Sequence, residues 1–316
     1  MERLKRTEKN TLTERVLQFG EGNFLRGFVD WMIDRLNKEN GGDYGVAIVQ
    51  PLPGGLVDKL NAQDGRYSLY LRGLLKGEKV EETRIVDCVT RGINPYTNTD
   101  EFFDCAKNPD LRFIVSNTTE AGIEYKPNQN PDDFNGLTFP GRLTLFMKKR
   151  FDEGLGGFIL LPCELIDKNG DNLKECILKY SVDWGYGDEF KKWIETENHF
   201  TNTLVDRIVT GYPRDNAKEM EQSYGYLDDM IDTAEIFHLW VIEGDKKLAE
   251  EIPFHKIGLN VLWTDDVTPY KKRKVRILNG AHTMTVLAAH LAGLETVKDA
   301  MDDELVFSFM KQGIFE

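Results

Sequence analysis

"RVLQFGEGNFLRGFVDWMIDRL", residues 15–36, is the stretch that decides the fold of this chain. It opens with a short, mostly apolar run, residues 16–19, which is followed by two glycines, Gly20 and Gly22. Beyond the glycines, large apolar side chains recur at the spacing of one helix face; they are Phe24, Phe28, Trp31, Met32 and Leu36. The stretch therefore predicts a strand, a tight turn and a helix.

Further strands and helices follow this unit in alternation. "YGVAIVQPL" (residues 44–52) predicts a second buried strand, and a strand–helix–strand unit of about 30 residues is typical of a parallel sheet. "RYSLYLRGLL" (66–75) and "EKVEETRIVDCVT" (78–90) alternate as the two strands of a hairpin do. We expect two more strands, in "LRFIVS" (111–116) and "GGFILLP" (156–162), and a helix between them in "LTLFMKKRFDEG" (143–154).

The pattern changes from about Asp188, where helical stretches dominate. "EFKKWIETENHFTNTLVDRIVTG" (189–211) and "AKEMEQSYGYLDDM" (217–230) are predicted to be helical, and "FHLWVIEG" (237–244) is either one more strand or a short apolar segment. A long helix is expected to begin near Pro269 and to run through "KVRILNGAHT" (274–283). The fold class predicted is α/β: a parallel-sheet domain over 1–265, followed by the start of a mainly helical domain over 266–316.

Composition narrows the class of protein. The chain of 316 residues has 40 basic and 53 acidic side chains, and the net charge of −13 argues against binding to nucleic acid. No run approaches the roughly 20 apolar residues that a bilayer-spanning helix needs, so we expect no membrane segment. The charged N-terminus has no apolar segment of the kind that a secretory signal contains. We therefore expect a cytoplasmic protein.

The four cysteines do not form a metal-binding pattern. They contain no CxxC pair, and no Cys/His cluster has the spacing of a zinc site, so no metal is expected. Reduced thiols of a cytosolic protein are the simpler interpretation; they are Cys88, Cys105, Cys163 and Cys176.

The glycine turn lies where a strand meets a helix, which is where the pyrophosphate of a dinucleotide binds in parallel sheets. A third glycine would complete the usual GxGxxG pattern, but that position holds Leu25, so a helix-start turn of any α/β protein remains an equal alternative. The ribose is usually read by an acid after the second strand, where this chain has Gln50. "SNTTEAG" (116–122) ends another strand, and its polar side chains are candidates for the same crevice or for a helix cap.

Lys274, Asn279 and His282 are the candidate catalytic residues. In an α-helix Asn279 would lie about 140° and His282 about 80° round the axis from Lys274, within one broad face. A lysine can give a proton to the oxygen of a carbonyl that accepts a hydride, and can take it back in the reverse direction. Asn279 could hold that oxygen, and His282 could orient the lysine or bind a hydroxyl. The alternative is a solvated charged face, since Lys274 ends the run of four basic residues 271–274.

"VLQFGEGNFLRGFVDW", "VSNTTEAGI" and "KVRILNGAHT" together resemble the mannitol dehydrogenase family of polyol-specific long-chain dehydrogenases. "LPCELIDKNGDNL" and "NTLVDRIVTGYPRD" are similar to its branch that reduces D-tagaturonate to D-altronate in hexuronate catabolism. The resemblance extends from about Arg15 to about Leu294. It implies a Rossmann-type domain followed by a helical domain, an NAD cofactor, no metal, and a sugar acid or polyol as substrate.

The resemblance also implies roles for single residues. The family's KxxxxNxxH motif falls on Lys274, Asn279 and His282, with the lysine as general acid/base. Its glycine turn falls on Gly20 and Gly22. With the neighbours of the turn and of the strand end at residue 116, the expected cofactor-binding residues are Phe19, Gly20, Gly22, Asn23, Phe24, Arg26, Asn117 and Thr118.

Two departures from the family pattern stand out. Polyol dehydrogenases have an Asn after the Cys-acid pair, whereas Leu165 follows Cys163 and Glu164 here; either Asn169 replaces it, or Asn279 and Lys274 hold the oxygen alone. Family members also extend well beyond the lysine helix, so we expect most of the helical domain to be absent and this chain to bind nucleotide weakly and turn over poorly.

Other functions remain open. A mannitol or fructuronate reductase is the alternative within the class, and a non-catalytic nucleotide-binding fragment is the alternative outside it. A uronate carboxylate needs a cationic partner, for which Lys271 and Arg273 are candidates; Arg276 would lie 200° round an α-helix from Lys274 and is a poor one. The oligomeric state stays open.

Overall fold

The computed structural model describes residues 1–75, 77–119 and 121–315, with the side chain of residue 75 left out. The chain divides into two compact units, Met1–Asp265 and Asp266–Glu316. Each is described by itself below.

The first unit contains all the strands that the structure describes. In chain order they are β1 (Glu14–Phe19), β2 (Gly45–Val49), β3 (Tyr67–Leu75), β4 (Glu78–Val86), β5 (Val89–Ile93), β6 (Phe113–Ser116), β7 (Ile159–Pro162), β8 (His199–Phe200), β9 (Asn202–Asp206), β10 (Asp232–Glu235), β11 (Leu239–Glu243) and β12 (Val261–Thr264).

The main sheet has the order β5-β2-β1-β6-β7-β8, and every neighbouring pair is parallel. From β1 the chain adds β2 and β5 on one side of the sheet, then crosses over and adds β6, β7 and β8 on the other side. The topological switch point therefore lies between β1 and β6. Ligands of open parallel sheets bind in the crevice at such a switch point, beyond the carboxyl ends of the strands. The predicted Rossmann-type parallel sheet is confirmed.

The helices of the first unit include α1 (Asn23–Leu25), α2 (Trp31–Asn40), α3 (Val57–Ala62), α4 (Thr99–Cys105), α5 (Phe139–Asp152), α6 (Asn169–Asp183), α7 (Gly187–Glu197) and α8 (Ala217–Tyr224). A π-helical segment, Arg26–Asp30, joins α1 to α2, so the helix that follows the glycine turn is continuous. Short 3₁₀ turns lie at Phe134–Gly136, Lys246–Glu250 and Phe254–Ile257.

Both faces of the main sheet are covered, which explains why its strands are continuous apolar runs rather than alternating ones. On β1, Val16 packs with Phe28 and Trp31 on one side of the sheet. Leu17 and Phe19 belong to the core on the other side. The glycine turn is thus fixed at the end of a strand that is buried on both faces.

Two sequence predictions fail in this unit. Residues 78–90 were expected to form one hairpin strand, but the chain leaves the β3–β4 hairpin after Val86 and enters the main sheet as β5. Residues 198–211 were expected to be helical, but the helix ends at Glu197 and β8 and β9 follow. Two three-stranded sheets, β10-β3-β4 and β12-β11-β9, complete the unit.

The second unit is helical among its described residues. Its elements are α9 (Thr268–Arg273), a π-helical segment Lys274–Asn279, α10 (Gly280–Leu291), α11 (Val297–Asp302) and α12 (Glu304–Phe315). A capping box begins α11: the hydroxyl of Thr296 accepts a hydrogen bond from the N–H of Asp299. The sequence patterns did not predict it. In the described parts of the chain, no helix is long and apolar enough to cross a membrane.

Candidate active site

The glycine turn follows β1 at the switch point of the main sheet. Gly20 has φ of +122°, which L side chains rarely adopt, and a Cβ there would lie 3.2 Å from the carbonyl oxygen of Asn117. The N–H of Gly20 donates to the carbonyl of Val49, and that of Asn117 donates to the carbonyl of Phe19. The carboxyl ends of β1, β2 and β6 therefore meet at this turn, and only glycine fits their close approach.

The helix after the turn begins without a side-chain cap. Gly22 is its N-cap, and among the described residues no side chain bonds the N–H groups of its first turn, α1, which contains no acidic residue. A Cβ added at Gly22 would meet nothing within 4 Å. Free N–H groups at an exposed, uncapped helix start attract anions, so the geometry fits a pyrophosphate.

The other predicted residues of the turn have different surroundings. Phe19 is buried against Phe139 with ring centroids 5.0 Å apart, and Phe24 stacks on Phe28 at 5.0 Å. Asn23 is exposed, and its amide oxygen accepts from the Arg26 guanidinium at 2.7 Å. Both aromatic side chains therefore pack against neighbouring rings; Phe19 is buried and Phe24 is half-buried.

Arg26 lies inside the protein, 1% exposed. Its guanidinium donates to the carbonyls of Glu21 and Met230, at 3.1 and 2.6 Å, and lies 5.0 Å from the ring centre of Tyr67. With its nitrogens engaged in this way, Arg26 holds the turn in place rather than reaching toward a bound anion.

A buried polar network supports the turn from below. The amide NH₂ of Gln18 donates to the carbonyl of Gly20 at 3.0 Å and to the carboxyl of Asp30 at 3.4 Å. The Tyr67 hydroxyl also donates to Asp30, at 3.3 Å. Burial raises the pKa of Asp30 to about 7, against the opposing effect of Gln18, and burial raises the pKa of Asp232 to about 6.

At the end of β6, Asn117 and Thr118 are half-buried and tied to the end of β7. The side-chain amide of Asn117 donates to the carbonyl of Cys163 at 2.8 Å. The N–H and the hydroxyl of Thr118 both donate to one carboxylate oxygen of Glu164 at 3.0 Å, and Ser116 donates to the other at 3.1 Å. These bonds order the strand end that borders the crevice.

Glu164 is a residue whose role the sequence left in doubt. It is 2% exposed, and burial raises the pKa of its carboxyl although hydrogen bonds from Thr118 and Ser116 oppose that shift. The signal for it was present in the sequence, as an acid directly after the apolar run of β7. What the sequence could not give was its partners, which lie 46 and 48 residues earlier in the chain.

Asn169 does not take the place of the Asn that polyol dehydrogenases have after their Cys-acid pair. Leu165, at the family position, is 62% exposed, and Asn169 is buried. The NH₂ of Asn169 donates to the carbonyls of Pro162 and Glu164, and its oxygen accepts from the N–H groups of Gly170 and Thr203. Because this amide is fully engaged in joining β7 to β9, it is not available to hold a substrate oxygen.

After β2, Gln50 is also structural. Its NH₂ donates to the carbonyls of Leu52 and Pro53, which folds the following loop back on itself. Glu21 fastens the same loop to the glycine turn, since one of its carboxylate oxygens accepts from the N–H of Leu56 at 3.2 Å. The second oxygen of Glu21 is buried and has no hydrogen-bond partner among the described residues.

Lys274 begins the π-helical segment and Asn279 ends it. The N–H of Gly280 donates to the carbonyl of Val275, five residues earlier, where an α-helix would bond four residues earlier. This wider turn brings positions 274 and 279 nearer to one face than the 140° expected from α-helical geometry. Segments of this kind are frequent at functional sites.

Within the second unit, Lys274 is half-buried, and Asn279 and His282 are exposed. His282 lies in α10, one turn beyond Asn279. The structure therefore gathers the three predicted catalytic positions into two successive turns of one helix. The predicted cofactor residues all belong to the first unit.

Two family models cover most of the chain. The mannitol dehydrogenase Rossmann domain matches residues 14–256, and the mannitol dehydrogenase C-terminal domain matches residues 266–316. The chain belongs to the mannitol dehydrogenase family.

Members of the family with curated names include altronate oxidoreductases. Those of Shigella flexneri and of Escherichia coli O6:K15:H31 are each 48% identical to this chain over 308 residues. The match covers 96% of this chain and 64% of either relative, so the chain spans about two thirds of the length of these proteins.

Solved structures of the family share the fold. D-sorbitol dehydrogenase in a substrate-free form has a TM-score of 0.82 at 25% identity, over 95% of this chain and 64% of the other. Mannitol 2-dehydrogenase of Pseudomonas fluorescens, in a ternary complex with NAD and D-mannitol, has a TM-score of 0.78 at 22% identity, over 96% and 64%.

Among the residues that the structure describes, no group of three or more His, Cys, Asp and Glu side chains could hold a metal ion. The four cysteines are buried and free, as reduced thiols are.

Proposed function

We propose that this protein is an NAD-dependent oxidoreductase that reduces D-tagaturonate to D-altronate. The observation that supports this most directly is the 48% identity to altronate oxidoreductases over nearly the whole chain. The sorbitol and mannitol dehydrogenases support the same chemistry on related hydroxyl compounds.

The cofactor assignment is supported by the crevice at the switch point. The turn at Gly20 and Gly22 would receive the pyrophosphate, because Gly22 leaves space and the helix start leaves N–H groups free. The ordered strand end at Asn117 and Thr118 would border the cofactor on the β6 side. Bound there, the nicotinamide would supply the hydride.

The remaining chemistry is assigned to the lysine helix. As the carbonyl oxygen gains negative charge, the Lys274 ammonium gives it a proton, and the neutral amine takes the proton back in the direction of oxidation. Asn279 donates a hydrogen bond to the same oxygen, which stabilises its developing charge. His282 binds a hydroxyl of the substrate or orients the lysine.

The test is NADH oxidation with D-tagaturonate, beside D-fructuronate and D-fructose, in the parent chain and in Lys274→Ala and Lys274→Arg. Arg keeps the positive charge but does not give up its proton, so both variants should lose turnover and keep NADH binding. Equal activity in Lys274→Arg would contradict the role as acid and base. Preference for D-fructuronate or D-fructose would support the alternative reductases of the family.

The second candidate is a non-catalytic nucleotide-binding fragment. It is favoured by the location of the candidate cofactor residues, all of which belong to the first unit and none to the lysine helix. A protein of this kind would bind NADH but turn over none of the three compounds, and replacing Lys274 would leave its NADH affinity unchanged.

A further inference from the structure

A cavity of about 540 Å³ opens beside the glycine turn, within the first unit. Its volume is in the range of small-molecule sites. Asn23, at the start of the helix after the turn, is part of its lining, and the opposite walls come from β3 and from the loop between β9 and α8. The cavity therefore adjoins the proposed pyrophosphate position through a shared residue.

Two arginines, Arg72 from β3 and Arg214 from the loop, line this cavity. In a chain of net charge −13, nearly every arginine of the first unit finds a partner. Those that bond to a carboxylate or to a backbone carbonyl are Arg3, Arg6, Arg15, Arg26, Arg35, Arg66, Arg84, Arg91, Arg112, Arg142, Arg150 and Arg207. In the described parts of this unit, only Arg72 and Arg214 have guanidinium groups without such a bond.

Arg72 has carboxylates within reach of its strand position and pairs with neither. Glu81 is opposite it on β4, and Glu235 is opposite it on β10. Cross-strand neighbours of opposite charge normally attract each other. Arg72 instead lines the cavity, so the N–H donors of its guanidinium group are available for a ligand.

The rest of the lining mixes polar side chains with the apolar Pro213 and Met220. The amide oxygen of Asn23 is held by Arg26, which leaves the Asn23 NH₂ as a donor. Tyr70 and Tyr212 add hydroxyl groups, and Asp215 is the acid of the lining, so two guanidinium groups face one carboxylate. The cavity is therefore positively charged on balance.

We propose that this cavity binds the carboxylate of the sugar acid, with Arg72 and Arg214 as its cationic partners. Planar guanidinium groups bind carboxylates through paired hydrogen bonds, which an uncharged polyol does not offer. This rests on the proposed function and deepens it, because it assigns the selection of acid over polyol to the first unit rather than to Lys271 or Arg273. The shared chemistry is an anionic oxygen group; the second source of one is a phosphate of the cofactor.

The test measures equilibrium binding rather than turnover, in Arg72→Gln, Arg214→Gln and the double variant. Both side chains are exposed, so the variants should keep the parent's melting temperature. Lys191→Gln removes one charge from an exposed site on α7 and is the matched control. The probes are D-altronate, its uncharged counterpart D-altritol, NADH and inorganic phosphate.

The expected result is a Kd for D-altronate that rises about tenfold or more in the double variant. The Kd values for D-altritol and NADH should stay at the parent's values, as should every value in the control. Weaker binding of NADH alone would assign the anion to the cofactor and overturn the carboxylate assignment. Weaker binding of D-altronate in Arg273→Gln, with the double variant unaffected, would also overturn it.

The result also separates this inference from the proposed function. If the parent binds inorganic phosphate through Arg72 and Arg214 but does not bind D-altronate, the anion site stands and the proposed substrate fails. If the double variant changes the binding of none of the four probes, the cavity is not an anion site.

Discussion

Thr118 donates two hydrogen bonds, from its N–H and from its hydroxyl, to the same carboxylate oxygen of Glu164 at 3.0 Å. With Ser116 on the other oxygen, this carboxylate joins the ends of two neighbouring strands at the border of the crevice. Glu164→Ala leaves three donors without a partner, of which the Ser116 hydroxyl is buried and the two of Thr118 are half-buried. We therefore expect a loss of about 1–3 kcal/mol in the free energy of unfolding and weaker NADH binding.

Glu164→Gln should cost much less than Glu164→Ala. Its amide oxygen can face Thr118 while the Ser116 hydroxyl turns to accept from the NH₂. Chemical denaturation and NADH titration of both variants check this. If Glu164→Gln is as damaging as Glu164→Ala, the negative charge of Glu164, and not its hydrogen-bonding geometry alone, is what holds the strand ends together.

Gly22→Ala is expected to weaken NADH binding without affecting folding. A Cβ there meets no protein atom within 4 Å, so any loss of affinity reports the approach of a ligand. Gly54→Ala, where the space is equally open, is the control. Unchanged NADH affinity in Gly22→Ala would argue against a pyrophosphate at this turn.

Gly20→Ala should destabilise the fold itself. The positive φ and the close carbonyl of Asn117 together predict a cost of about 1–3 kcal/mol. Gly41→Ala is the milder comparison, because φ of 65° lies in the left-handed helical region that alanine can adopt at a modest cost and nothing lies within 4 Å. Thermal unfolding should place Gly20→Ala clearly below Gly41→Ala, and equal stabilities would show that the strand ends can separate.

Asp30→Asn should stabilise the protein at neutral and higher pH. Burial raises the pKa of Asp30 from 3.8 to about 7, so the folded chain binds this proton more tightly than the unfolded one. The carboxyl therefore lowers stability progressively as the pH rises from about 4 to 7, and its full cost remains above pH 7. We expect a gain above about 1.4 kcal/mol at pH 8, equivalent to one pKa unit, and none below pH 4.

Asp43→Asn is the control of opposite sign for Asp30→Asn. Hydrogen bonds from Thr13 lower the pKa of Asp43, so its contribution is favourable above the unfolded pKa and is lost as the pH falls. Urea denaturation between about pH 2.5 and 8 measures both, because Asp43 loses its contribution only below its ordinary pKa of 3.8. A stability difference between Asp30→Asn and the parent that does not vary with pH would show that Asp30 does not titrate in this range.

The second unit should associate at high concentration. It exposes many apolar side chains, among them Val286, Leu287, Leu291, Leu305, Phe309 and Phe315. Sedimentation velocity should show self-association that Leu287→Lys with Leu291→Lys reduces. Leu74→Lys, on the β3–β4 hairpin of the first unit, is the control and should leave the association unchanged.

The sequence predicted β1, β2, β6 and β7 of the main sheet because these strands are buried on both faces, and continuous apolar runs are easy to read. It failed at 199–206, where β8 and β9 contain few large apolar residues and are strands because neighbouring strands bond them. It failed again at Val86, where nothing in the alternation shows that the chain moves from one sheet to another.

The candidate site was predictable where local pattern determines it, as at the glycine turn and the lysine helix. It was not predictable where partners are distant in the chain. Arg26 was expected to face a cofactor, but a carbonyl 204 residues away, that of Met230, binds it inside the protein. Arg72 and Arg214, 142 residues apart, come together only through the pairing of β3 with β10 and the loop before α8.

In the π-helical segment, the alignment of the lysine-motif side chains depends on the pattern of backbone hydrogen bonds. A bond from residue 280 to residue 275 accommodates one residue more than an α-helical turn does, so Lys274 and Asn279, five residues apart, are aligned only because this turn is widened. Removing a single residue between them would restore a regular helix and preserve every side chain of the motif. Residues four apart in an α-helix lie about 40° round the axis, so the shortened helix would still present both ends of the motif on one face. An inserted residue, in contrast, would turn them apart, so this helix should tolerate a deletion at the wide turn better than an insertion.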